Sequence, residues 1–201
     1  CDIADVFGFG ASKSNLDEFV STDELVERKC PDLVSEISLE KLRENLAHDE
    51  IRIIHRRSTS DHFVRRRWDG RVYLANGGGS HHLAAAKYIA ARLGERVSLT
   101  AALHDYSLNV AALAALRREF EMFVVGQELA AWIALGDALR AFRATWLWHP
   151  LPKPLDDGAV ALLLPKAEDR SKKVARELHG AGFVDLGAHL AALVARQQGH
   201  A

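Results

Sequence analysis

Cysteine is nearly absent: Cys1 and Cys30 are the two in 201 residues, and they have no metal-type spacing. A reduced, cytoplasmic setting is the expectation, and Cys1, at a terminus, is expected to be mobile. No apolar run approaches the roughly eighteen residues of a membrane span, and no charged start leads into a hydrophobic stretch as in a secretory signal. These absences predict a soluble, unexported chain with no membrane partner. An excess of one charge is missing too, since the formal net charge is −1. That excludes a surface built as a whole to bind nucleic acid, while leaving room for a local basic patch. There is no internal repeat and no low-complexity segment. Apart from His81 and His82, the histidines (His48, His55, His62, His104, His149, His179, His189 and His200) form no recognised zinc motif, so no metal site is expected.

What the chain does hold is core material. Its 48% hydrophobic content suits one compact domain over 1–201, or two lobes over 1–110 and 111–201. Its charges are unevenly placed. Acidic residues gather in the first fifty positions, whereas Arg52, Arg56, Arg57, Arg65, Arg66, Arg67 and Arg71 come within about twenty residues after them.

That basic block runs into the most informative segment, Trp68 to Tyr88, which reads as a strand, a glycine loop and the opening of a helix. Gly77, Gly78 and Gly79 let backbone approach a ligand closely, and free N–H groups at a helix start favour phosphate or carboxylate. The competing reading is a tight connection in a crowded turn. His81 and His82 point about 100° apart on a helix, so one touches a ligand while the other packs or faces solvent.

Patterning around this loop predicts α/β or α+β structure with a mixed sheet flanked by helices. Val6 to Ser14 reads as a loop, either a flexible arm or a second anion cradle. Ser21 with Glu24 has capping-box spacing, and Ser38 precedes Leu39, Leu42 and Leu46 at helical intervals. Ile51, Ile53 and Ile54 suggest a strand, and Asp69-Gly70 between Phe63-Val64 and Val72-Tyr73-Leu74 signals a hairpin. Leu83, Ala86, Ile89, Ala90 and Leu93 share a helical face closed by Gly94. Further on come a strand at Val97 to Leu99, helices at Ala111 to Arg118 and Gln127 to Phe142 (with Leu129, Trp132, Ile133 and Leu139 inside), and strands at Phe120 to Val125 and Ala159 to Leu164. Pro150, Pro152 and Pro154 mark a surface connection, Gly180 closes a helix from Ala167, and Leu186 to Arg196 is the last helix.

The strand, the glycine loop and Gly79-Ser80-His81 opening an alanine-rich helix resemble the phosphate-binding motif of the ParB/sulfiredoxin superfamily, over roughly Glu50 to Asn109. The resemblance implies a ParB/sulfiredoxin-like core with a C-terminal α/β extension, and a nucleotide, with magnesium, as the bound group. Its members include partition proteins, a sulfinic-acid reductase and small-molecule kinases, so it does not select an activity. This chain departs from the Gly-x-His-Arg pattern by placing His82 where the family has arginine. Phosphate neutralisation then falls to Arg65, Arg66, Arg67 or Arg71 of the adjoining hairpin.

The expected cradle is therefore Asn76, Gly77, Gly78, Gly79, Ser80, His81 and His82, with Arg66, Arg67 and Arg71 supplying charge for a nucleotide or other phosphorylated small molecule. If there is catalysis, the reaction is phosphoryl transfer or phosphate-ester hydrolysis, with Asp69 and Asp105 as bases and His81 as proton donor. Other readings stay open. Arg65 and Arg67 share one strand face, with Arg66 on the other, and the run is either a charged edge strand or a phosphate clamp. His104-Asp105-Tyr106 is either acid–base machinery or a polar turn in which Asp105 caps the next element, and Trp146 with Trp148 either stacks on a base or packs a half-buried strand. The alternative function is a nucleic-acid-binding or regulatory module, partition-like or serving genome defence, that uses the Arg52 to Arg71 block.

Overall fold

The computed structural model describes residues 1–152 and 158–199, so Pro154 and His200 lie outside the described residues. The chain divides into two compact units, Cys1–Ser107 and Leu108–Gly199. The secondary structure is mixed α/β in both. Among the described residues no helix is long and apolar enough to cross a membrane.

The first unit contains strands β1 (Val6–Phe9), β2 (His62–Arg66), β3 (Arg71–Ala75) and β4 (Leu103–Tyr106), with helices α1 (Thr22–Lys29), α2 (Leu39–Leu46), α3 (Arg52–His55) and α4 (Ser80–Leu93). Its sheet runs β1-β3-β2-β4 and is mixed: β2 and β3 are antiparallel, while β1 runs parallel to β3 and β4 parallel to β2. Ser21 and Ser38 cap α1 and α2 by accepting from the N–H groups of Glu24 and Lys41, each bond satisfying a donor that a helix start otherwise leaves free. The Glu24 carboxylate reaches back to the Val20 N–H, one residue beyond the reciprocal capping-box partner. Helix α4 is the centre of this unit. Leu83, Ala84, Ala85, Ala86, Ile89 and Ala90 are all buried, so the helix is enclosed on more than the single face its periodicity suggests. Methyl side chains at three consecutive positions let neighbouring elements approach closely, and alanine does so with the best helix propensity of any residue.

Several expectations change here. Ile51, Ile53 and Ile54 do not form a strand, because Arg52–His55 is a single helical turn. Val97 to Leu99 contributes only an isolated bridge, between Asp2 and Ser98. Val6–Phe9 is the strand β1 and not an arm. Cys1 is tied down, its carbonyl accepting from the Leu99 N–H at 2.9 Å. The hairpin stands, with Arg66 opposite Arg71 and the turn closed by Gly70 at φ 68°.

The second unit contains α5 (Val110–Glu119), β5 (Phe120–Gly126), α6 (Leu129–Ala141), β6 (Leu147–Pro150), β7 (Ala159–Pro165), α7 (Asp169–Gly180), β8 (Val184–Asp185) and α8 (Leu186–Gly199). The sheet order is β6-β7-β5-β8, antiparallel throughout. Phe123, Val125, Val160, Leu162 and Leu164 alternate along β5 and β7 and pack with Leu139, Ala175 and Leu178 of α6 and α7, the period-two pattern of a strand with one face in a core. Leu139 is buried as expected, but Leu129 and Ile133 are exposed. Gly180 lies inside α7, and the left-handed turn after that helix falls to Gly182 at φ 77°. Trp146 and Trp148 each make a T-shaped contact with Trp132, with ring centroids 5.9 Å apart, which accounts for their spacing by packing.

Candidate functional site

The glycine loop leaves β3 at Ala75 and is anchored by Asn76. This buried amide donates to the carbonyls of Ala11 at 3.1 Å and Gly78 at 2.9 Å, and accepts from the Ala11 N–H at 3.2 Å. It thus ties the segment after β1 to the loop before α4. Gly77 donates its N–H to the buried carboxylate of Asp61 at 3.0 Å, so a side chain already serves as the anion for that donor. Gly79 has φ 72°, and a Cβ there would lie 2.8 Å from the Glu50 carbonyl. Gly77 is packed under the Arg52 guanidinium, whose buried Nε has no hydrogen-bond partner among the described residues. Gly79 is therefore required by the close approach of the Glu50–Ile51 backbone, whereas a Cβ on Gly77 would displace only the Arg52 guanidinium and one on Gly78 would make only ordinary contact. Helix α4 begins at Ser80 with no side-chain cap, leaving its first turn to solvent or a ligand.

Above that turn lies an open cleft of about 600 Å³, lined by Ser12, Lys13, Lys29, Cys30, His48 and Glu50 together with the glycine loop, Ser80, His81 and His82. The Ser80 hydroxyl donates to Ser12 Oγ at 3.1 Å, and the Ser14 N–H donates to the same oxygen at 3.2 Å. His81 Nε2 lies 3.0 Å from Ser14 Oγ and 3.4 Å from Ser12 Oγ. Burial, and then the positive charge of Lys13, lower the His81 pKa from its ordinary value. The imidazole is neutral at pH 7 and suited to accept a proton rather than donate one.

His82 has a different task. Its Nδ1 lies 3.1 Å from Asn45 Oδ1, and the Asn45 amide nitrogen donates to the carbonyls of Leu33 and Lys41. Those two acceptors fix the amide orientation, so His82 Nδ1 carries the proton and donates. His48 stacks on the His82 ring at 3.7 Å. Burial, and after it His48, lowers the His82 pKa as well.

Of the expected site residues, Asn76, Gly77, Gly78, Gly79, Ser80 and His81 meet at one place. Arg66, Arg67, Arg71, Asp69 and Asp105 do not join them. Arg66 and Arg71 face each other at the turn end of the hairpin, and Ala75 is about 13 Å away along β3 at ~3.3 Å per residue. The physical reason is strand direction: proximity in sequence to the loop places the turn at the opposite end of β3. There Arg65 and Arg67 both grip Asp105, at 2.7 and 2.8 Å, while Arg66 lies over Tyr73 and Arg71 over Phe7. Asp105 sits in β4, caps nothing and is committed to this pair, and Asn109 caps α5 instead. Asp69 accepts the Arg71 N–H within the turn. The cations lining the cleft are Lys13 and Lys29, and Arg52 of the basic block packs on the loop at Gly77.

Lys29, Asn45, His48 and Asp61 were not legible as site residues, whereas Ser12, Lys13 and Ser14 fall in the Val6 to Ser14 segment read as a flexible arm or a second anion cradle. The signal for those three was the small and polar run Gly10-Ala11-Ser12-Lys13-Ser14.

A family model spans the entire chain, residues 1–201. The chain belongs to DUF6685, a family of unknown function. No curated protein and no solved structure matches it.

Proposed function

We propose that the first unit binds a nucleotide or another phosphorylated small molecule in the cleft at the amino end of α4. The observation that carries this reading is an uncapped helix start opening, beside Lys13, into a cleft of about 600 Å³. Backbone donors of the first turn, the Ser12 and Ser80 hydroxyls and the two lysines supply what a phosphate dianion needs. Glu50 and Asp32, which both line the cleft, are the carboxylates available to a magnesium ion accompanying a nucleotide. The likeness to the ParB/sulfiredoxin superfamily rests on this strand, loop and helix, with the neutralising role expected of the hairpin arginines passing to the lysines. Free Cys1 and Cys30 accord with a cytoplasmic setting. The nucleic-acid reading is weaker, because Arg65 and Arg67 share their charge with Asp105 and Arg66 and Arg71 lie on aromatic rings.

Titration calorimetry with nucleoside mono-, di- and triphosphates and with sugar phosphates tests the proposal. Lys13→Glu should weaken binding at least tenfold. Gly78→Val, at the one loop glycine with room for a side chain, should obstruct the cleft while the far-UV spectrum stays unchanged. An unmutated chain that binds no member of the panel removes the reading.

A further inference from the structure

The hydroxyl cluster over α4 is arranged for more than holding a ligand. We propose that Ser12 is a nucleophile and His81 its general base, so that the cleft transfers a phosphoryl group through a phosphoserine at position 12. The phosphoryl assignment rests on the proposed phosphate binding in this cleft.

The geometry at Ser12 Oγ is asymmetric. It accepts two hydrogen bonds, from the Ser80 hydroxyl at 3.1 Å and the Ser14 N–H at 3.2 Å. With its lone pairs so engaged, its own proton is left to point at His81 Nε2, 3.4 Å away. The same two donors stabilise the oxyanion that forms when the proton departs. Ser14 Oγ is closer to the base, at 3.0 Å, but Ser12 is the one of the pair that lines the cleft. Ser14 holds the imidazole in place at rest and is a positioning residue. A base of lowered pKa, kept neutral by burial and Lys13, retains the lone pair the step needs.

In the first half-reaction the Ser12 proton moves to His81 Nε2 as the Oγ–P bond forms, the bond from phosphorus to the leaving oxygen breaks, and the leaving oxygen takes the proton from His81. In the second, a water gives its proton to His81 and attacks phosphorus. The Oγ–P bond breaks, Ser12 Oγ recovers the proton, and orthophosphate leaves.

Diisopropyl fluorophosphate reports an activated serine by a stable Oγ–P bond, with fluoride and the serine proton lost. Incubation of the full chain and then peptide mapping should place the adduct on Ser12, with labelling slowed by orthophosphate. His81→Gln keeps a hydrogen-bond acceptor but no base, and should slow labelling by about 10²-fold, with its melting temperature recorded to confirm folding. An adduct on Ser14 or elsewhere overturns the assignment, as does no adduct at all, and the unmutated chain alone decides both. Calorimetric binding of phosphate compounds with Ser12 unlabelled overturns the nucleophile and leaves the binding reading standing. Labelling of Ser12 that orthophosphate does not slow overturns the phosphoryl assignment, and the binding reading is decided separately by the calorimetry.

Discussion

A Cβ on Gly79 would stand 2.8 Å from the carbonyl of Glu50, with the Ile51 nitrogen equally near. Gly79 therefore answers two demands, a left-handed φ of 72° and contact with backbone that cannot rotate away. Gly94 meets only the first, since its φ is 71° and nothing lies within 4 Å of its missing Cβ. Gly94→Ala should cost about 1 kcal/mol for the left-handed conformation, and Gly79→Ala about 2–4 kcal/mol once overpacking is added. Urea unfolding of the two variants measures the difference. Equal midpoints would show that the Glu50 segment yields freely.

Asn45 is 1% exposed and spends its whole amide on Leu33, Lys41 and His82. Asn45→Leu fills the same volume but leaves the Leu33 carbonyl and the His82 donor without partners. The expected loss is roughly 1–3 kcal/mol, read as a lowered denaturant midpoint with unchanged slope.

The elements that were legible in the sequence are those fixed by local chemistry. Ser21 and Ser38 start helices because a hydroxyl can reach an N–H three residues on, and Asp69-Gly70 turns because Gly70 adopts a positive φ. Ile51, Ile53 and Ile54 misled because one turn of helix is too short to show its period. The site was half legible. Asn76 to His81 form a continuous stretch whose loop-to-helix character is local. Ser12 and Ser14 reach His81 across 69 and 67 residues, through a parallel β1–β3 pairing that no short-range pattern announces. The arginines were misplaced for the same reason, since the end of a strand at which a side chain lies depends on chain direction.

Asp105 lies between two guanidiniums, and hydrogen bonds from Arg65 and then Arg67 hold its carboxyl well below the usual carboxylate range. A depressed folded pKa gives stability that is present above the unfolded value of about 3.9 and is lost as pH falls through the folded value. The carboxyl carbon of Asp105 should accordingly show no titration step in NMR where unpaired aspartates protonate. Arg65→Ala together with Arg67→Ala should restore an ordinary step, and a normal step in the unmutated chain would refute the pairing in solution.

His81 and His82 carry lowered pKa values from burial first, joined by Lys13 for His81 and His48 for His82. The native state therefore resists protonation more than the unfolded chain does. Below the unfolded histidine pKa of about 6.5, the unfolded state binds more protons and the fold loses stability as pH drops toward the lowered native values; above it this contribution is complete and flat. The denaturant midpoint of the unmutated chain should decline on acidification through that window, before the carboxylates begin to titrate. His81→Gln with His82→Gln removes both groups, so the decline should shrink in that variant whatever its absolute stability. A pH profile of the same slope in the two proteins would assign the dependence to other histidines and return His81 to an ordinary, solvent-exposed state.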